Sequence, residues 1–364
     1  ERELVTIHDD GSIHLNMKQF TFHRGLTMTG RSFEKLFGRL RRQPEAELET
    51  FHKDVAASIQ DVTEKIMIRM ARHVREETGL RNLCMAGGVA LNTKCNGRML
   101  SEQIFDNVYI QPAAGDAGSA CGAALYAHSR LTDQPRKRQP FFSLGPTSDD
   151  VSIRSFLDEN LISYQTIKYD DRMSRLAGEI ANGRIVAIFH GAMEFGPRAL
   201  GFRSILADPR NSSIKEKINA AVKYREPFRP FAPACLIEKA SEYFEGNPDS
   251  PYMLFNFQVR QEKRELLPAI THADGSARLQ TVRRPDNQVF YDIISQFEKL
   301  TGLPVLLNTS FNLRGHPIVC KPQEAFATFC SSGIDILLLG SYLVEKKNLT
   351  TELIDRFQIQ SSAD

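Results

Sequence analysis

The segment Ile185-Val-Ala-Ile-Phe-His-Gly-Ala-Met-Glu-Phe-Gly-Pro-Arg-Ala-Leu-Gly-Phe-Arg-Ser-Ile-Leu-Ala-Asp-Pro-Arg210 opens with an unbroken apolar run, turns at Gly196-Pro197 and then brings Arg198, Arg203 and Arg210 close together. A short apolar run bounded by turn residues reads as a buried strand. Residues 185–189 therefore predict a strand of an α/β sheet whose end opens into a polar, glycine-rich loop. Ligands of such sheets sit beyond strand ends, and the planar fork of arginine matches phosphate two bonds at a time. The segment predicts an anion cradle; the competing reading is a solvated basic face.

Local charge favours the cradle. From Arg184 to Arg229 there are nine lysines and arginines against four acidic residues, whereas the whole chain of 364 residues has a formal net charge of only +2. Within this stretch, Lys223-Tyr-Arg225 stands in a segment stiffened by Pro227, Pro230 and Pro233, beside Arg229. Further on, the apolar run Leu303–Leu307 predicts a second buried strand, and Asn308-Thr-Ser-Phe-Asn312 places amides and hydroxyls at its end. Cations that neutralise phosphates, with short polar groups at a strand end, suit nucleotide chemistry.

Towards the N-terminus, Val5–His8 and Ile13–Asn16 around Asp10-Gly11 predict a hairpin. A helix is expected from Asp54, as its cap, to about Glu77, with Val55, Ile59, Val62 and Ile66 as its core stripe and Gly79 as its stop. Leu83–Ala86 then reads as a strand broken by Gly87-Gly88 and followed by a helical run over 90–100. The pattern repeats: a strand at Val108–Ile110, a loop holding Gly115-Asp116-Ala-Gly118, and a helix from Ser119 to His128. Glycines at such junctions let backbone amides and helix N-termini approach a phosphate, and they also serve as plain tight turns. The polar stretch Thr132–Gln139 marks a domain boundary, and helices are expected at 171–181, 213–222 and 289–300. The chain thus reads as residues 1–135, a linker at 136–146, a second α/β domain at 147–352 and a tail at 353–364.

Composition narrows the class. At 364 residues with 41% hydrophobic and 25% charged residues, two cores are expected rather than disorder. No apolar run reaches bilayer length, so no membrane partner is expected. Glu1 is no initiator methionine, and the chain reads as lacking an N-terminal portion. The six cysteines, at 84, 95, 121, 235, 320 and 330, include no Cys-x-x-Cys pair and read as reduced thiols of a cytoplasmic protein. Near-neutral net charge argues against a nucleic-acid partner.

The motifs carry a resemblance. Lys-x-Arg at 223–225 with Ser-x-Asn at 310–312 resembles the signature of YrdC-type domains. The longer strings Glu194–Gly201, Arg225–Pro233 and Asn308–Asn312, followed by Gly315-x-Pro317, resemble the NodU/CmcH/TobZ family of O-carbamoyltransferases. Gly87–Asn92 and Gly115–Gly118 resemble that family's actin-like (Kae1-like) ATPase lobe. The resemblance implies an α/β fold, with part of an actin-like lobe followed by a YrdC-like twisted-sheet domain. It also implies a two-site reaction: carbamoyl phosphate and ATP, the latter with Mg2+, give carbamoyl adenylate, and the carbamoyl group passes to the hydroxyl of a small-molecule acceptor. On this reading Arg198, Lys223, Arg225, Ser310 and Asn312 are catalytic, and Arg203, Arg229, Asn308 and Arg314 bind phosphate or carbamoyl groups. Gly87, Gly88, Asn92, Gly115 and Gly118 approach the nucleotide of the actin-like lobe. Asp116 is implied as a ligand of Fe2+ or a similar divalent metal completed by histidines upstream of Glu1; its alternative role is a helix cap.

Three positions depart from the family pattern. Ala192 and Phe202 stand where arginine and asparagine are usual, and His316 replaces an acidic or variable residue. Lys35–Gly38 and the arginines at 39, 41 and 42 are candidate acceptor-site residues. Two rival readings are a threonylcarbamoyl-adenylate-type synthase and a non-catalytic nucleotide-binding fragment. A homodimer is compatible with the sequence.

Overall fold

The structure is a computed structural model that describes residues 1–132, 134, 142–226 and 228–359. The chain divides into two compact units, one of residues 1–84 and 97–109 and the other of 85–96 and 110–364. The linker expected at 136–146 falls over 136–141 outside the described residues, as does Pro227 of the 222–233 segment.

In the first unit β1 (Val5–Ile7) and β2 (Ile13–Leu15) form the expected antiparallel hairpin, Val5 opposite Leu15. Gly11 turns it at φ +83°, where a Cβ would also collide with Met70. After α1 (Arg31–Phe37) comes the long α2 (Thr50–Thr78), which ends at Gly79 in the left-handed region as its sequence predicts. Its start differs from expectation. Glu49, in a reciprocal pair with His52, caps the helix instead of Asp54. The stripe differs too: Ile59 is 62% exposed, and the buried positions are Glu64, Ile68 and Ala71. The inward face carries a carboxylate, which Gln60 and Arg98 satisfy there.

Strands β3 (Asn82–Met85) and β4 (Asn107–Ile110) pair with each other. A short 3-10 turn at Gly88–Leu91 and α3 (Thr93–Ser101) follow the first, and α4 (Asp116–Leu131) follows the second. The two strand–glycine–helix junctions are therefore as read.

The second unit is a mixed α/β layer structure. In chain order it holds α5 (Asp150–Glu159), β5 (Gln165–Thr166), α6 (Tyr169–Ala181), β6 (Val186–Phe189), β7 (Arg203–Ala207), α7 (Ser212–Ile218), β8 (Ala232–Leu236), α8 (Ala240–Tyr243), β9 (Asn256–Gln258), β10 (Ser276–Arg278), β11 (Gln280–Val282), α9 (Gln288–Thr301), β12 (Val305–Ser310), α10 (Pro322–Cys330), β13 (Ile336–Leu339), β14 (Tyr342–Glu345) and α11 (Thr351–Phe357). Eight strands make one sheet in the order β11-β8-β12-β7-β6-β13-β14-β5; β6 with β13 and β8 with β11 are parallel, the other neighbours antiparallel. Every residue of β6, β7, β8 and β13 is buried. That is why β6, β8 and β13 run continuously apolar instead of alternating, both faces being covered, while β7 opens with the buried polar pair Arg203 and Ser204. Helices α6 and α9 pack on each other and over β6, β7, β8 and β12, while α10 covers β6 and β13. Residues 353–357, expected as tail, lie in α11. Among the described residues no helix is long and apolar enough to cross a membrane.

Candidate functional site

A cavity of about 320 Å³ lies within the second unit, lined by Arg198, Arg225, Arg229 and Arg278, by Asn308, Thr309 and Ser310 at the end of β12, and by His272 among others. Among the described residues no carboxylate lines it. The Nε of Arg198 and the Nε of Arg278 are both buried without a hydrogen-bond partner. Burial, then the charges of Arg198 and Arg225, bring the Arg278 guanidinium down to about 9; burial lowers Arg198, and burial together with Arg229 lowers Arg225. Arg225 is steered by Asn219, whose Oδ1 accepts from its Nε at 2.8 Å, and by the Phe231 ring 4.8 Å beneath it. Arg229 pairs with Glu226 at 2.9 Å, a carboxylate whose charge also reaches Arg225. Converging cations with a single carboxylate, Glu226, beside two of them make a site that an anion would stabilise.

The loop carrying Arg198 is held by a buried acid. Glu194, 5% exposed, accepts through Oε1 the backbone N–H groups of Leu200, Phe202 and Arg203 at 2.7, 2.8 and 3.1 Å, while burial raises its carboxyl. Gly196 passes at φ +137° so close to Pro112 that a Cβ would sit 2.8 Å from its carbonyl oxygen. His190 donates from Nε2 to the Gly201 carbonyl at 2.8 Å, and burial drops its imidazole to about 4, so it is a neutral brace. Glu194→Ala would orphan three amides; at about 1–3 kcal/mol for each buried unsatisfied group, softened by relaxation, we expect a loss of roughly 3 kcal/mol, read as a lower Tm.

Lys223 and the Ser-x-Asn segment meet as one cluster. The chain leaves α7 through a π-helical turn, Asn219–Lys223, and Tyr224 follows in the left-handed region at φ +44°. This places Lys223, 6% exposed, with Nζ donating to Ser310 O at 2.6 Å, Asn312 Oδ1 at 2.8 Å and Asn312 O at 3.1 Å. Ser310 Oγ donates to Asn312 Oδ1 at 2.6 Å. Burial, followed by the charge of Arg225, brings the Lys223 ammonium down to about 7. π turns of this kind recur at functional sites. Asn308 spans the cavity floor, donating to Gln280 Oε1 at 2.7 Å and Ala199 O at 3.3 Å.

Other sequence-predicted residues lie elsewhere. Arg203 is fully buried over the Phe189 ring at 3.6 Å, its fork donating to the carbonyls of His190, Phe202, Pro146 and Gly191. It does not line the cavity and ties the loop to the sheet. Arg314 donates to the Tyr224 carbonyl at 3.0 Å, also outside the lining. Ala192 and Phe202 are likewise absent from it, Phe202 being buried beside His190, so these departures leave the arginine cluster intact. His316 is exposed, and its carbonyl accepts from Asn312.

At the glycine junctions, Gly87 at φ +98° donates its N–H to Ala114 O at 2.7 Å, joining the two loops. A Cβ on Gly118 would collide with Gln111 and Ala113, so close packing suffices to require glycine there; Gly88 and Gly115 are under no such pressure. Asn92 accepts the Cys95 N–H at 3.1 Å and so caps α3. Asp116 is exposed at the first position of α4. Among the described residues no three His, Cys, Asp or Glu side chains gather as metal ligands, and Asp116 stands without the histidines that the resemblance places upstream of Glu1.

Two cavity residues escape sequence reasoning. Arg278 sits in a three-residue strand and reaches the site only because β10 pairs with β9; His272 precedes the same strand. The one local signal was the Asp274-Gly275 turn between them.

Comparison with known proteins places this architecture. The family model described as carbamoyltransferase C-terminus matches residues 177–346, and that described as carbamoyltransferase N-terminus matches 1–125. An uncharacterized protein, sll1178, of Synechocystis is 45% identical over 94% of this chain and 60% of its own length. Nodulation protein NolNO of Sinorhizobium fredii is 46% identical over 83% of this chain and 45% of its own. Nodulation protein NolO of Bradyrhizobium diazoefficiens is 47% identical over 81% and 55%. The chain thus spans about half the length of the curated relatives it matches. A solved structure of HypF from T. kodakarensis aligns at TM-score 0.30 and 19% identity over 42% of this chain and 19% of its own, too slight a likeness to bear on the fold. With both parts of the family matched in order along most of its length, the chain belongs to the carbamoyltransferase family.

Proposed function

We propose that this chain activates carbamoyl phosphate with ATP in the arginine-lined cavity and serves an O-carbamoyltransferase whose acceptor is the hydroxyl of a small molecule. The observation that carries the reading is the pair Arg198 and Arg278, two guanidinium groups with buried, unpartnered Nε atoms in one cavity that no carboxylate lines among the described residues. Carbamoyl phosphate is hydrolysed to carbamate and phosphate; a carbamate oxygen then attacks the α-phosphorus of ATP, pyrophosphate leaves, and carbamoyl adenylate remains for transfer. The chain's part is to neutralise two polyanions and hold them in line, which positioned cations do with little reorganisation. Lys223 fixes Ser310 and Asn312 at the strand end, where they orient the reacting group. On this reading residues 147–352 form a YrdC-like domain, and the glycine junctions at 87–92 and 115–118, which fall in the same compact unit, belong to an actin-like ATP-binding lobe.

The test is carbamoyl-phosphate-dependent incorporation of labelled pyrophosphate into ATP by this chain without acceptor. Incorporation that requires carbamoyl phosphate supports the reading. If the folded chain binds carbamoyl phosphate yet gives no incorporation under conditions in which a full-length family member does, the cavity is not an adenylating site.

A further inference from the structure

Beyond the arginines, one side chain of the cavity wall is set up to accept a proton. Residues 272–276, His-Ala-Asp-Gly-Ser, form a tight turn in which His272 N–H donates to Ser276 O at 2.8 Å and Gly275 N–H to His272 O at 2.9 Å. Asp274 Oδ1 accepts the Ser276 N–H at 3.1 Å and its hydroxyl at 2.7 Å. With its proton directed at Asp274, Ser276 Oγ faces the imidazole as an acceptor, 3.2 Å from Nδ1. The network assigns the ring proton to Nδ1 and leaves the Nε2 lone pair free. The ring lines the cavity that holds Arg198, Arg225 and Arg278. A base oriented by a second group that is itself oriented by a carboxylate is the arrangement general-base catalysis needs.

Resting on the reading that carbamoyl phosphate is activated in this cavity, we propose that His272, held by Ser276 and Asp274, is the general base for the water that converts carbamoyl phosphate to carbamate. The water oxygen bonds to the carbonyl carbon as Nε2 takes one of its protons. The C–O bond to phosphate then breaks, and the departing phosphate takes that proton from Nε2. Carbamic acid loses the remaining proton to solvent and becomes carbamate. No oxidant or metal enters the balance. Burial, chiefly, holds the imidazole below its ordinary range, with Arg278 and Lys215 acting in the same direction and Asp274 opposing them. The ring is therefore neutral near pH 7, as a base must be. The rate should fall as pH drops through its pKa.

The test separates the hydrolytic half-reaction from the adenylating one. Phosphate release from carbamoyl phosphate is measured above spontaneous decomposition, and pyrophosphate exchange is measured with carbamate supplied from ammonium bicarbonate. His272→Gln should lower phosphate release by about 10²–10⁴-fold, and supplied carbamate should rescue its exchange. Asp274→Asn, at an exposed turn position, should move the acid limb of phosphate release to lower pH, because it removes the charge that raises His272. Unchanged release in His272→Gln, equal loss of both half-reactions, or an acid limb indifferent to Asp274→Asn each overturns the proposal. If the unaltered chain catalyses neither half-reaction, the functional reading itself fails and the base role falls with it.

Discussion

Arg278→Met should cut productive use of carbamoyl phosphate by about 10²–10³-fold and at the same time make the protein harder to unfold. In the folded chain Arg278 is partly buried, its Nε fully so and unpartnered, and desolvation, then the charges of Arg198 and Arg225, bring it down to about 9. An anion in the cavity supplies the missing counter-charge and fork partner, so the interaction is strongest when substrate or transition state is present. Losing a preorganised cation of this kind costs about 10²–10³-fold in rate. The apo protein loses only repulsion and desolvation when methionine fills the space, and we expect a gain of about 1–2 kcal/mol, the stability–activity trade seen where sites are built under strain. Exchange kinetics and thermal unfolding measured on the same preparation decide it. Reduced activity with a lower Tm would make Arg278 a structural residue, and unchanged kinetics would remove it from the site. Arg278→Lys keeps the charge but not the fork and should recover only part of the rate.

Lys223→Met should be as damaging to activity, for a different reason, and should destabilise. Its ammonium gathers oxygens of Ser310 and Asn312; without it these buried acceptors face one another, and both the Ser-x-Asn geometry and roughly 2 kcal/mol of stability should go. The pH dependence gives the signature. With its folded value near 7 and its unfolded value near 10.5, the ammonium loses its proton on folding over that window. The sign follows: the burial penalty is fully present below pH 7 and is relieved as pH climbs from 7 towards 10.5, where the unfolded chain binds the extra proton. A phosphate bound beside Ser310 favours the ammonium and draws the proton back. Carbamoyl phosphate should therefore bind with net proton uptake near pH 7.5, and its affinity should weaken as pH rises past 7. Calorimetry in two buffers of different ionisation enthalpy measures the uptake. Uptake that persists in Lys223→Met would assign it to another group.

How far the sequence could be read depended on how local each determinant is. The strand at 186–189 was legible because a buried strand declares itself by a continuous apolar run; Arg198 was legible on the loop that leaves it, Asn308 and Ser310 at the end of the apolar run of β12, and Arg225 from the basic, proline-stiffened segment around it. Arg203 has the same chemistry as Arg198 and stands five residues away, yet the register that sets it opposite Phe189 turns it onto the ring and backbone carbonyls of its own loop. Register is long-range information. Arg278 shows the converse: nothing in Ser-Ala-Arg announces a ligand, and only the pairing of β10 with β9 delivers it. The cap of α2 was misread because a glutamate with a histidine can do what a closer aspartate does more often.

The π turn at Asn219–Lys223 has an evolutionary corollary. One residue is accommodated there beyond what α-helical winding would use, and each residue of an α-helix turns the chain by about 100°. Removing a single residue between 219 and 223 would let the segment relax into ordinary α-helix and swing the lysine a quarter-turn or more from Ser310 and Asn312, although every motif letter survived. In descendants of this chain, gaps here should be far scarcer than substitutions, because the helix counts residues where the cavity reads only their side chains.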